Sequence, residues 1–334
     1  MLVSMDVTQE TDGCGGPEDR SHPGGLDKVV FTAAEARAAG MTDYQLRHPG
    51  LVTATRGIRF WDVGERPWAQ MVQAVSSLPG DHYLSHSTAA RLWGLWMPAS
   101  LEEDLPIHIT GRKGTAGSRR RPGIVGHKAK LHPSDVVEVD GHRLTTPERT
   151  WLDLATQIHD PLRLVAAGDA LLQRQDGPLR GIEVLGRLHP LATLADIDAA
   201  MARRRRTKGI NAARHARALI RAGVDSAAET RVRMIIFQAG LPEPVVNQEV
   251  WLSPTLKRRP DLHYPGWRIA IQYDGRHHGE NTQLNSDIHR DSDFTDHGWE
   301  SVKAADDIYT ARGEQLFLER LRRAILRQTS GDRP

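Results

Sequence analysis

The stretch Arg258-Arg259-Pro260-Asp261, followed by Ile269-Ala270-Ile271-Gln272-Tyr273-Asp274-Gly275-Arg276-His277-His278, decides how the C-terminal third of the chain is read. Side chains alternate along a strand. Ile269, Ile271 and Tyr273 therefore face one way, and Arg268, Ala270, Gln272 and Asp274 the other. Asp274 puts a carboxylate at the end of an apolar strand, and an isolated carboxylate is costly to bury. Three oxygen-bearing side chains converging there suit a hard cation such as Mg²⁺. Metal-assisted cleavage of a phosphodiester is one use for such a cluster.

Working outward, 334 residues are too many for one ordinary core, so two or three domains are expected. A chain with 39% hydrophobic and 26% charged residues is of the soluble globular type. The net charge of +2 does not by itself demand nucleic acid, although local basic clusters allow it. The single cysteine, Cys14, excludes internal disulfides and cysteine-based zinc sites. No apolar run is long enough to span a bilayer, and the first residues lack a signal-peptide pattern. A cytoplasmic location is the expectation, with no membrane partner.

Punctuation residues divide the chain. Residues 1–25 are rich in Gly, Asp, Glu, Ser and Pro and read as a disordered tail. Residues 27–65 read as a small helical unit and a hairpin. Thr32 caps a helix closed by Gly40, Thr42 caps a second that Pro49-Gly50 cuts short, and Arg56-Gly57 turns the hairpin. Residues 66–165 mix helices with short strands, among them a hairpin turned at Asp140-Gly141 and a helix begun by Thr146-Pro147-Glu148. Residues 166–224 are mostly helical and contain Arg203-Arg204-Arg205-Arg206-Thr207-Lys208. Residues 225–330 start afresh as α-β-β-β-α-β-α, with Ser226 capping the first helix and a single strand expected over 245–252.

This last block resembles the PD-(D/E)XK nuclease superfamily, in its branch related to very-short-patch-repair endonucleases. The resemblance is carried by the helix with Glu229, the Arg-Pro-Asp261 strand, the Gln272-Tyr273-Asp274-Gly275 strand with His277 and His278, and Gly298-Trp299. It implies that Asp261, Asp274 and Glu229 bind Mg²⁺ or Mn²⁺. Gln272 stands where the family usually has Glu or Asp, and a neutral amide binds Mg²⁺ more weakly than a carboxylate. The preceding region resembles actinobacterial proteins that join a winged-helix-like segment and an AbiEi-antitoxin-like domain to such a nuclease. The carriers are 31–40, Arg56-Gly57, Ser85-His86-Ser87-Thr88-Ala89-Ala90 and Leu144-Thr145-Thr146-Pro147-Glu148-Arg149-Thr150. AbiEi antitoxins bind DNA as repressors, so this match implies DNA as a partner and leaves a toxin partner unidentified. The expected fold class is α/β, with a restriction-endonuclease-like αβββαβ core behind winged-helix-like and small α+β domains.

Each candidate also has a plainer reading. Ser226-Ala227-Ala228-Glu229 is a capping box. Asp261 could pair with Arg258 or Arg259, and Asp274-Gly275 is a turn dipeptide. His277 and His278 could be loop residues, or His277 could move a proton beside a metal. Asp287, Arg290 and Asp291 fit a solvated helix face, with Arg290 able to hold a phosphate. Arg203, Arg204, Arg205 and Arg206 are either a solvated face or a sequence-independent DNA contact, and Arg112, Lys113 and Arg119–Arg121 pose the same choice. Trp93 and Trp96 belong to a core. Two functions follow: a metal-dependent DNA endonuclease, or a DNA-binding regulator resembling an AbiEi antitoxin with a degenerate nuclease domain.

Overall fold

The computed structural model describes residues 28–61, 68–103, 106–112, 123–173, 190–275 and 292–330. It is an α/β protein of helices and mixed sheets that divides into two compact units, Met1–Leu78 and Pro79–Pro334. Among the described residues no helix is long and apolar enough to cross a membrane.

The first unit runs β1 (Val30–Thr32), α1 (Ala33–Ala38), a one-turn 3-10 helix (Gln45–Arg47), β2 (Leu51–Thr55), β3 (Ile58–Trp61) and α2 (Trp68–Ser76). A reciprocal capping box starts α1: Glu35 N–H donates to Thr32 Oγ1 at 3.0 Å, and Thr32 N–H donates to Glu35 Oε2 at 2.7 Å. Thr42 and Gln45 repeat that exchange, yet only one turn follows before Pro49. The three strands order as β1-β3-β2, and Gly57 at φ +91° makes the hairpin turn. Phe31, Ala36, Met41, Leu46 and Trp61 form the core.

The second unit begins with β4 (His82–Leu84), α3 (His86–Trp93), α4 (Ala99–Glu102), β5 (Ile107–Arg112) and β6 (Ile124–Ala129). Next come β7 (Val136–Val139), β8 (His142–Thr145), α5 (Pro147–Leu154) and α6 (Pro161–Asp169). Its five-stranded sheet has the order β6-β5-β4-β8-β7. The Asp140-Gly141 turn, with φ of +48° and +75°, joins β7 to β8 as its sequence predicts. Trp93 is buried and donates from Nε1 to Thr145 O at 2.9 Å, whereas Trp96 is half-buried.

Helices α7 (Leu194–Arg203) and α8 (Ile210–Leu219) lead into α9 (Ala227–Gln238). The strands that follow are β9 (Val245–Val246), β10 (Val250–Ser253), β11 (Leu256–Arg258), β12 (Leu262–Tyr264), β13 (Ile269–Asp274) and β14 (Glu300–Ala305). Helix Ala311–Thr329 closes the described chain. The sheet order β14-β13-β12-β9 has β13 and β14 parallel and the other pairs antiparallel. Ile269 and Ile271 enter the main core with Val232, Ile235 and Phe317, while Ala270 packs on the other face with Val250 and Phe294. The alternation read from the sequence is therefore the alternation of the strand.

One expectation here is corrected. The single strand over 245–252 is two strands, β9 and β10, because Asn247 sits at φ +45° between them. The left-handed region is one that asparagine tolerates better than most residues.

Helices α6 and α9 are joined by a buried ion pair. Asp169, with 0% exposure, accepts from Arg221 N–H at 2.8 Å, Thr230 Oγ1 at 2.8 Å and Arg233 Nη2 at 2.9 Å. Arg233 donates its other terminal nitrogen to Glu243 at 3.1 Å.

Candidate functional site

Besides the Asp169–Arg233 pair, two clusters of buried titratable groups stand out among the described residues of the second unit. The first is built on α5, where Arg149 and Asp153 lie one turn apart and so share a face. Arg149 Nε donates to Asp153 Oδ1 at 3.1 Å and Nη1 to Asp135 Oδ2 at 2.8 Å. Asp135 also accepts from Arg203 Nε at 3.1 Å, and Asp153 from Arg204 Nη1 at 2.7 Å. Two buried carboxylates thus stand among three arginines, the geometry in which buried charge is tolerated. Burial works against ionisation of Asp153, yet His86, Arg149 and Arg204 hold its carboxyl below the usual range.

Three histidines complete this cluster. The rings of His86 and His127 stack with centroids 3.5 Å apart and planes 13° apart. His127 Nε2 lies 2.9 Å from His108 Nδ1, and His86 Nδ1 lies 3.0 Å from Ser85 Oγ. Thr110 Oγ1 donates to Ser85 Oγ at 2.8 Å. His86 has φ +54°, a conformation that costs of order 1–3 kcal/mol outside glycine and tends to be kept where a site needs it. Burial, aided by His127, His108 and Arg149 and opposed by Asp153, lowers the His86 pKa to about 3. Burial and His108 lower that of His127 to about 4. Both rings are therefore neutral near pH 7, each offering one donor and one acceptor nitrogen.

His86, His127, Asp135 and Asp153 line a cavity of about 1190 Å³ whose rim carries Lys128, Lys130, Arg205, Arg206 and Lys208. The arginine tract follows α7 and ends at Gly209, whose φ of +81° turns the chain into α8. The tract thus divides: Arg203 and Arg204 are spent on buried carboxylates, and Arg205 and Arg206 remain exposed. Sequence reasoning leaves all four as a solvated face or a DNA contact, and gives no role to His86, His108, His127, Asp135 or Asp153. The only advance signal is that Ser85-His86 and Glu148-Arg149 lie in segments that carry the antitoxin resemblance.

The second cluster contains the residues expected to bind a metal. Glu229, in the first turn of α9, accepts from Asp225 N–H and from Ser226 Oγ, both at 2.9 Å, and from Asn247 Nδ2. Asn247 N–H donates to Asp261 O at 2.9 Å, and Asp261 Oδ2 accepts from Tyr273 N–H at 2.8 Å. The buried Asn247, missed in the sequence, therefore bridges Glu229 and Asp261. Burial, and then the negative charge of Asp261, push the Glu229 pKa up to about 7. The capping role and the pocket role belong to one side chain. Arg258 and Arg259 are paired with Asp293 and Asp225.

Gln272 follows Ala270 on the same strand face and is buried, with no partner for its Nε2. Asp274 is exposed, its Oδ2 4.0 Å from Lys303 Nζ. His277, Arg290, His278, Asp287, Asp291 and the segment 113–122 lie outside the described residues. Among the described residues no three His, Cys, Asp or Glu side chains are grouped to hold a metal ion. Glu229 already accepts three hydrogen bonds, and Asp274 is exposed.

Residues 83–175 match the model of the AbiEi antitoxin C-terminal domain, so the chain contains an AbiEi-antitoxin-like domain. The histidines, α5 and α6 all fall within that segment. The chain is also similar to uncharacterized proteins of two Mycobacterium tuberculosis strains, CDC 1551 and H37Rv. Each is 26% identical over 274 residues, covering 80% of this chain and 90% of the relative. No solved structure matches it.

Proposed function

We propose that this protein is a DNA-binding regulator resembling an AbiEi antitoxin. The observation that carries the reading is the antitoxin-like segment 83–175. The first unit supports it. Its strand–helix–turn–hairpin order is winged-helix-like, and it exposes Tyr44 and Arg47 beside the helical turn and Arg56 at the hairpin tip. A recognition element of one 3-10 turn reaches few base edges, so phosphate contacts dominate binding. A toxin partner belongs to the same reading.

The test is fluorescence anisotropy of the whole chain with duplex DNA at several salt concentrations. Affinity should fall linearly on a log–log plot with salt, and each phosphate contact removed by Arg47→Ala or Arg56→Ala should reduce the slope by about one. Absence of duplex binding at low salt ends the proposal.

A second reading, Mg²⁺- or Mn²⁺-dependent DNA cleavage by the C-terminal block, has one observation in its favour: Glu229 and Asp261 share a pocket. Among the described residues no three His, Cys, Asp or Glu side chains are grouped to hold a metal ion. Plasmid nicking that requires Mn²⁺ and is lost in Asp261→Ala would restore it; equal inertness of wild type and variant removes it.

A further inference from the structure

We propose that the cavity beside α5 is a binding site for a small organic polyphosphate, such as a nucleoside triphosphate. Its charge is the first argument. Seven lysine and arginine side chains line it against two carboxylates. Those carboxylates, Asp135 and Asp153, are already answered by Arg149, Arg203 and Arg204. Lys128, Lys130, Arg205, Arg206 and Lys208 make no ion pair among the described residues. Like charges gathered without counter-charge oppose the compact state. An anion with several negative charges relieves that, and phosphate oxygens accept from guanidinium forks and ammonium groups with charge-assisted strength.

The interior gives the second argument. His86 lines the cavity yet is only 6% exposed. A group that deep suits a slender terminal phosphate better than the backbone of a duplex lying across the rim.

Size gives the third. About 1190 Å³ is above the range of ordinary small-molecule pockets and far more than one inorganic phosphate fills. Ala129, Leu131 and Pro133 add apolar wall, which suits an organic body carrying the phosphates. The polar contacts are supplied by the rim cations and by neutral imidazoles whose N–H groups donate to phosphate oxygen.

The inference does not depend on DNA binding, because ligand and readout differ. Isothermal titration of the full chain at low salt, with ATP, inorganic triphosphate and a short single-stranded oligonucleotide as separate titrants, tests it. ATP and triphosphate should bind once per chain. The double variant Lys128→Ala/Lys208→Ala, both positions exposed and unpaired, should keep the wild-type melting temperature and bind ATP at least about tenfold more weakly. No heat with ATP and triphosphate overturns the proposal, as does an affinity unchanged in the variant. An oligonucleotide that binds more tightly than ATP, and loses that binding in the same variant, assigns the cavity to a nucleic-acid strand instead.

Discussion

The two buried clusters of the second unit solve the same problem in opposite ways. Around α5, two carboxylates are surrounded by arginines, and burial falls hardest on the histidines, which it keeps neutral. In the α9 pocket, Glu229 faces the negative charge of Asp261, and burial falls on the acid, whose pKa is pushed up to about 7, so that about half of it is protonated at neutral pH. The difference teaches that desolvation alone does not set protonation. Burial and nearby charge act together: Asp153 stays below the usual range among its cations, whereas burial pushes Asp169 up to about 6 even beside Arg233. One cluster has surplus positive charge at its mouth, and the other has its negative charge suppressed.

The largest expected effect tests the first half of that contrast. Arg149→Met leaves Asp135 and Asp153 buried without the guanidinium they share, and should cost about 3–5 kcal/mol in urea unfolding. A loss below about 1 kcal/mol would mean that the two carboxylates are not charged in the fold.

Next comes the acid pocket. The Glu229 pKa is raised from 4.5 to about 7, so its stabilising contribution is present below pH 4.5 and is lost as pH rises through 7. Glu229→Gln mimics the protonated form and does not titrate. Relative to wild type, the variant should therefore gain on the order of 3 kcal/mol between pH 4.5 and pH 8. A stability difference that stays flat across this range would show that neither burial nor Asp261 raises the Glu229 pKa.

The histidine cluster should show the reverse slope. His86 falls from 6.5 to about 3, so stability is present above pH 6.5 and is lost as pH falls toward 3. At pH 5 that amounts to about 2 kcal/mol for this residue. His86→Asn keeps a side chain that accepts positive φ and should flatten the acid limb of a pH–stability curve. An unchanged limb would assign the acid sensitivity elsewhere.

The smallest effect concerns how the arginine tract is held. A Cβ on Gly209 would lie 2.8 Å from Ala155 O at a φ of +81°. Gly209→Ala should cost about 1–3 kcal/mol and lower the melting temperature by several degrees. An unperturbed melt would mean that the turn into α8 shifts freely and that the tract is not fixed over the cavity.

Much of the local architecture was legible because its signals are short-range. Thr32 with Glu35, Ser226 with Glu229, and Asp140-Gly141 announce themselves within three or four residues, and the β13 alternation needs only six. The acid pair was half legible, since Glu229 and Asp261 were named but Asn247, which links them, was read as an ordinary strand position. The cavity was not legible. His86, His108 and His127 come from a helix start and two different strands, and nothing in the sequence announces that β5 and β6 pair in the register that brings His108 beside Val125 and Thr110 beside His127. Arg203 and Arg204 looked like the rest of a basic run, because only the fold shows which two of four neighbours meet a buried acid.

The Asp169–Arg233 pair sets where this molecule can be divided. The antitoxin-like segment ends at residue 175, but all three donors to Asp169 come from Arg221, Thr230 and Arg233. Arg203 and Arg204 also come from beyond that end. A fragment cut at 175 would expose three acids evolved for burial, each missing donors, so the segment recognisable as a module is not by itself a module of folding. The matched segment and the unit that buries these acids therefore end at different places in the chain.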